Sequence, residues 1–176
     1  MSNYKRMYLQ EYNYVFFTVV TNNRENILIE NIDLLRESFK NALKNFEFNI
    51  IAICIMQNHL HMILKLKNIK DYPKIIYSIK FYFSHRLNEN NNVSESKLKK
   101  GEKGIWQRRY WEHTIRDEKD FYTHVDYIHY NPMKHYQITP KDWEYSTFLK
   151  FVDKGYYDIN WCNFDDVNNI NDLDFE

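Results

Sequence analysis

From Tyr12 to Thr21 the chain reads YNYVFFTVVT, an aromatic and β-branched run with the pattern of a buried strand. Between Ile29 and Phe46 the apolar residues fall at Ile32, Leu34, Leu35, Phe39, Leu43 and Phe46. That spacing is close to a helical period, and Asn31 or Asp33 is available as a cap. Phe48 to Met56 (FNIIAICIM) reads as a second strand and His59 to Leu66 as a third, across a polar break at Gln57-Asn58 that suits a hairpin. Tyr72 to Leu87 returns to helical spacing, with Ile75, Ile76, Ile79, Phe83 and Leu87 on one side. Asn88 to Gly104 is a polar connector with no period. Ile105 to Ile115 (IWQRRYWEHTI) is strand-like, and Asp117 then caps a helix whose apolar stripe is Phe121, Val125 and Ile128. Pro132 disfavours helical geometry at Asn131, which predicts that this helix finishes there. A short helix around Tyr145 to Val152 and a loose tail complete the chain. The order predicts an α+β fold, a ferredoxin-like β-α-β-β-α-β antiparallel sheet with an added helix and a C-terminal extension.

The 176 residues suffice for a single domain with a real core. Net charge is zero, but residues 151–176 carry one Lys against seven acids, while the remainder carries 23 basic and 17 acidic residues. The chain thus divides into a basic body, residues 1–150, and an acidic tail, residues 151–176, so neutrality of the whole does not exclude an anionic partner. No apolar run has the length of a membrane span, and Met1 to Arg6 lacks the apolar core of an export signal. Cys54 and Cys162 lie in no metal-binding pattern and read as reduced packing residues of a cytoplasmic protein.

Candidate chemistry concentrates in two places. In Gln57-Asn58-His59-Leu60-His61-Met62-Ile63-Leu64 the two histidines stand two apart on a strand, so both imidazoles face one side. Together they make two ligands of an open divalent-metal site. On the helix from Asp117, Tyr127 falls away from the apolar stripe and shares a face, taken to be exposed, with His124 and Asn131. Asn131 can offer a hard oxygen to a metal held by two imidazoles, and Tyr127 can attack a phosphorus whose oxygen that metal polarises. His85, His113, His129 and His135 read as surface or hydrogen-bonded residues, and most of the fifteen tyrosines as packing residues.

Three segments, NHLHMIL (Asn58–Leu64), IWQRRYWEHTIRDEKDF (Ile105–Phe121) and HVDYIHYNPMKH (His124–His135), carry a family resemblance. With FFTVVT and DWEYSTF (Asp142–Phe148), they make the chain resemble the REP-associated tyrosine transposases, relatives of the single-strand insertion-sequence transposases in the HUH nuclease class. The resemblance covers roughly Tyr4 to Phe151. It implies that His59 and His61 bind Mg²⁺ or Mn²⁺, with Asn131 as third ligand and Tyr127 as nucleophile. The substrate it implies is single-stranded or hairpin DNA, cleaved by displacement of a 3′-hydroxyl to leave a 5′-phosphotyrosine. Another 3′-hydroxyl resolves that intermediate, with no nucleotide cofactor. A phenol with a pKa of roughly 10 is mostly neutral at pH 7, so the metal must assist. Gln57, Tyr136 and Glu144 depart from the proline, glycine and proline common in relatives, and none of the three carries the chemistry.

Arg108, Arg109 and Trp106, with Tyr110 and Trp111 alongside, combine cations with stacking surfaces, as single-strand and hairpin binders do. Lys97, Lys99, Lys100 and Lys103 in the connector can meet phosphates, and Lys134 and His135 follow the reactive helix closely enough to reach the scissile linkage. The resemblance also favours a monomer over a dimer, and cytoplasmic action near the nucleoid. Two other readings stand beside it: a repeat-hairpin binding protein that does not cut, and a metal hydrolase that uses water with Tyr127 structural.

Overall fold

The computed structural model describes residues 13–90 and 104–162. Within them, β1 (Tyr14–Val20), β2 (Phe48–Ile55), β3 (His59–Leu66) and β4 (Trp111–Thr114) form one antiparallel sheet in the order β2-β3-β1-β4. Four helices accompany it: α1 (Ile32–Leu43), α2 (Tyr72–Asn90), α3 (Glu118–Tyr136) and α4 (Phe148–Asp153). The expected α+β, ferredoxin-like arrangement is present. Long-range pairing brings β1 between β3 and β4, so the strand earliest in the chain sits inside the sheet.

Period-two alternation distributes the side chains between two apolar layers. Val15, Phe17 and Val19 of β1 and Leu60, Met62 and Leu64 of β3 pack under α1 and α2. Phe16 of β1 and Ile63 of β3 face the other way, where they meet Val125, Tyr127 and Ile128 of α3. A bulge in β2 keeps this segregation. Ile50 pairs with Leu64 but Ala52 pairs with Ile63, so Ile51 is an extra residue. Phe48 before the bulge and Ile53 and Ile55 after it therefore share the α1/α2 layer, while Ala52 and Cys54 join the α3 layer. Without the extra residue, the second half of β2 would turn inside out.

Four expectations need correction. The strand predicted over Ile105–Ile115 is short: a bridge pairs Trp106 with Thr21, then the ladder breaks and resumes at Trp111. Trp106 turns into the core against Phe83, with ring centroids 5.3 Å apart. Helix α3 does not stop at Asn131. It continues through Pro132 to Tyr136 and ends at Gln137, whose φ of 56° lets Gln137 N donate to Met133 O and Ile138 N to Pro132 O. Packing overrules the local proline effect: Asn131 and Pro132 are buried, Tyr136 stacks near Trp143 at 5.4 Å, and His135 lies 5.0 Å from His59. Asn31 stands at the start of α1 without capping it, its side-chain amide donating instead to Ile27 O at 2.8 Å.

Finally, residues 154–162 are not loose. Gly155, at φ 78°, reverses the chain, and Tyr157 inserts among His129, Phe148, Phe151 and Trp161. Its hydroxyl donates to Asp126 Oδ1 at 2.5 Å, tying this segment to α3. The remaining tail and the connector lysines Lys97, Lys99, Lys100 and Lys103 lie outside the described residues. The segment before α4 also covers the outer edge of β2. Ile55 N donates to Tyr145 O, Thr147 N to Ile53 O, and Ile53 N to Thr147 Oγ1, each at 2.9 Å. No described helix is long and apolar enough to cross a membrane.

Candidate active site

His59 and His61 open β3 on the face covered by α3, and their rings lie 4.9 Å apart, nearly perpendicular. Each is oriented through Nδ1. His61 Nδ1 lies 2.8 Å from Thr18 Oγ1, its register partner on β1. His59 Nδ1 lies 2.7 Å from Asn58 Oδ1. Asn58 donates its own amide to Asn26 Oδ1 at 3.1 Å, which turns its oxygen toward His59. That oxygen can only accept, so His59 carries its proton on Nδ1 and keeps a lone pair on Nε2. Both Nε2 atoms are buried and make no hydrogen bond among the described residues.

Helix α3 brings the phenol to this pair. The Tyr127 ring stands 5.1 Å from the His61 ring, edge-on at 80°, with Phe16 packed against both. Tyr127, expected on an exposed face, is instead fully buried, because α3 lies flat on the sheet and covers that face as well as its apolar stripe. One turn on, Asn131 is also fully buried; its Nδ2 donates to Tyr127 O at 2.7 Å. Its Oδ1 has no hydrogen-bond partner among the described residues. A buried amide oxygen left so costs about 1–3 kcal/mol, a cost that a cation at that oxygen would remove.

Two imidazole nitrogens and one amide oxygen fit a divalent ion of borderline to hard character. Mn²⁺ accepts both donor types, and Mg²⁺ prefers the oxygen. Three protein ligands leave positions for phosphate oxygens. The extra turn of α3 supplies the rim: Lys134 Nζ lies 3.4 Å from the Tyr127 hydroxyl and 5.2 Å from its ring centroid, and His135 covers His59. A cation at that distance stabilises negative charge on a phenol oxygen.

His124 shares the Phe16-facing side of α3 with Tyr127, their rings 4.8 and 6.2 Å from the Phe16 ring, and its Nδ1 joins a hub around Asp120. Asp120 Oδ2 accepts from His113 Nε2 at 2.7 Å and from Arg116 N at 2.9 Å, while Oδ1 lies 3.1 Å from His124 Nδ1. Burial raises the Asp120 carboxyl, but these hydrogen bonds and the nearby imidazoles outweigh it and hold the group below its ordinary value. Burial pushes His124 down. His113, Asp120 and His124 have ligand atoms within 4.8 Å of one another, the character of a metal set, and join β4 to α3 through the Asp120 carboxylate. His129, also read as surface or hydrogen-bonded, is fully buried and bonds Thr147 Oγ1 through Nε2 at 2.9 Å; burial drives its pKa down to about 3.

Arg108 and Arg109 are exposed on the segment before β4. Trp106, 6% exposed, offers no open face for a base. Thr18 and Asn58 are the residues that sequence reasoning passed over. The available signal was a lone hydroxyl inside an apolar strand, and an amide directly before the first histidine.

Residues 8–131 match the family described as "Transposase IS200 like". A Haemophilus influenzae protein named among the REP-associated tyrosine transposases is 38% identical over 164 residues, covering 92% of this chain and 93% of its own. An Escherichia coli K12 protein named REP-associated tyrosine transposase is 34% identical, with 92% of each chain covered. A solved structure of a REP-associated tyrosine transposase bound to a REP hairpin superposes with a TM-score of 0.80 at 33% identity, over 99% of this chain and 96% of that one.

Proposed function

Since the chain belongs to the IS200-like transposase family, among its REP-associated tyrosine transposases, we propose that it cuts and rejoins hairpin-forming single-stranded DNA with Tyr127 as nucleophile. The observation that carries this reading is the convergence of the Tyr127 ring on His61, with a buried, unsatisfied Asn131 oxygen one helical turn away. His59, His61 and Asn131 would hold the ion, Mg²⁺ or Mn²⁺, which would supply Lewis-acid polarisation of the scissile phosphate.

The chain's own residues do the rest. Asn58 and Thr18 hold the two imidazoles in place through Nδ1, which turns each Nε2 toward the ion site. Tyr127 Oη attacks phosphorus, the bond to the 3′-oxygen breaks, and the 5′-phosphate stays on the tyrosine. Lys134 stabilises the developing phenolate and the phosphate charge. Because the new ester conserves the energy of the broken one, a second 3′-hydroxyl can reverse the step without a nucleotide cofactor. The relative of known structure was solved with a REP hairpin, which supports hairpin DNA as the partner of this chain too. The reading includes action as a monomer in the cytoplasm, next to nucleoid DNA, with residues 1–150 as the catalytic unit and 151–176 as an acidic extension whose first part, to residue 162, packs on that unit.

Incubation with Mn²⁺ and a hairpin oligonucleotide carrying single-stranded flanks should yield a protein–DNA adduct stable to denaturation. Tyr127→Phe should remove it. An adduct that persists in that variant rejects the assignment, cleavage that persists without an adduct points to a water nucleophile, and binding with no cleavage points to a pure hairpin binder.

A further inference from the structure

On the opposite face of the sheet, α2 presents aromatic rings to solvent. Its buried side consists of Tyr72, Ile75, Ile76, Ile79, Phe83 and Leu87. Its outer side carries Tyr77, 66% exposed, and Phe81, 56% exposed, one turn apart. Their rings lie 5.7 Å apart at 21°, and His85 continues the row at 5.9 Å and 32°. This ridge borders a groove of about 1140 Å³ whose other wall is the segment from Gly104 to Tyr110. Among the described residues that line the groove, the charged ones are Lys80 and Arg108. Lys80 is fixed in place: its Nζ donates to Gln107 O at 2.7 Å and lies 5.8 Å above the Tyr110 ring. On its far side the same ridge borders a second hollow, of about 510 Å³, lined in part by Lys74, which is paired with Asp71 Oδ1 at 3.2 Å.

Exposed ring faces flanked by Lys80 and Arg108 complement an unpaired nucleic-acid strand. Its bases stack on the rings and its phosphates meet the cations. A duplex stem hides its base faces and would leave the ridge without a role. A chain of backbone contacts runs from the groove lining toward the candidate active site. Trp106, in that lining, pairs with Thr21. Thr21 in turn binds Asn58 O through both its N, at 2.8 Å, and its Oγ1, at 2.9 Å. Asn58 is the residue that orients His59. Two strand spacings, roughly 10 Å, therefore separate the groove lining from the histidine pair's anchor.

We infer that the α2 ridge of Tyr77 and Phe81, with Lys80 and Arg108, binds the single-stranded DNA segment that flanks the hairpin. The inference rests on the proposed DNA activity but concerns binding alone. Its test compares fluorescence anisotropy, in EDTA, of a bare hairpin and of the same hairpin with an unpaired flank, for the wild-type chain and for Tyr77→Ala/Phe81→Ala. The flank should tighten wild-type binding, and the double variant should lose roughly tenfold or more on the flanked DNA with no change on the bare hairpin. Phe81→Trp, which keeps a stacking face, should retain wild-type affinity. Equal binding of the two oligonucleotides by the wild type, an unaffected double variant, or an equal loss on both DNAs would overturn the inference. Failure of the catalytic reading is a separate result: no Tyr127 adduct, with the flank effect intact.

Discussion

Replacing Thr18 with Val tests how the metal-binding pair is built. Thr18 is 1% exposed in the inner strand β1, and its hydroxyl is the partner of His61 Nδ1 at 2.8 Å. Valine has almost the same shape and suits a strand, so backbone pairing and packing should survive. What disappears is the hydroxyl partner of His61 Nδ1. A buried ring nitrogen left without that partner costs about 1–3 kcal/mol. For a chain of this length each kcal/mol lowers the melting temperature by about 2–4 °C. The ligand effect is larger. With its orienting hydrogen bond gone, His61 can turn or change tautomer, and metal affinity should fall about 10–100-fold. Isothermal titration with Mn²⁺ in the Tyr127→Phe background measures this without turnover, and thermal melts with and without Mn²⁺ give the stability arm. Thr18→Ser keeps the hydroxyl and should bind metal like the parent, while His61→Ala should not. If Thr18→Val binds Mn²⁺ as tightly as the parent while His61→Ala loses binding, the orienting role assigned to Thr18 is wrong.

Lys134→Met removes the cation beside the phenol and should slow adduct formation roughly 10–100-fold at neutral pH, with recovery as pH rises; a pH–rate series on one oligonucleotide reads this out. Asn131→Ala should abolish Mn²⁺-dependent cleavage, yet cost less stability than a satisfied buried asparagine would, since its Oδ1 now makes no hydrogen bond to described residues; urea unfolding checks the second part. His129 has its folded pKa depressed to about 3, below the ordinary value of 6.5. The unfolded chain therefore binds the extra proton first, so the stabilisation is complete above about pH 6.5 and is lost as pH falls toward 3, by about 1.4 kcal/mol per pH unit. In His129→Gln the decline in urea midpoint between pH 6 and pH 4 should be visibly flatter than in the parent. Gln137→Gly should raise stability by up to about 1 kcal/mol, since Gln137 holds a left-handed conformation at φ 56° that glycine adopts without steric cost; a melt that drops instead would show that the Gln137 side chain is needed.

Side-chain type and spacing determined much of this protein. Alternation in YVFFTVV and HLHMILKL set which residues face which layer, and the one-residue gap between His59 and His61 put both imidazoles on the same side. The four-residue gap from Tyr127 to Asn131 likewise placed phenol and amide on one helical face. These are local periods, and they survive folding because backbone geometry alone fixes them. Everything that required knowing which element lies against which was decided by the tertiary structure. Register gave His61 its Thr18, which is 43 residues away in the chain. Packing of α3 flat on the sheet buried Tyr127. Contacts of Tyr136 with Trp143 and of His135 with His59 carried α3 past a proline that local preference would have made its end, and so placed Lys134 beside the phenol. Local preferences of about 1–3 kcal/mol yield when a buried face gains more from docking, and chain proximity says nothing about that gain.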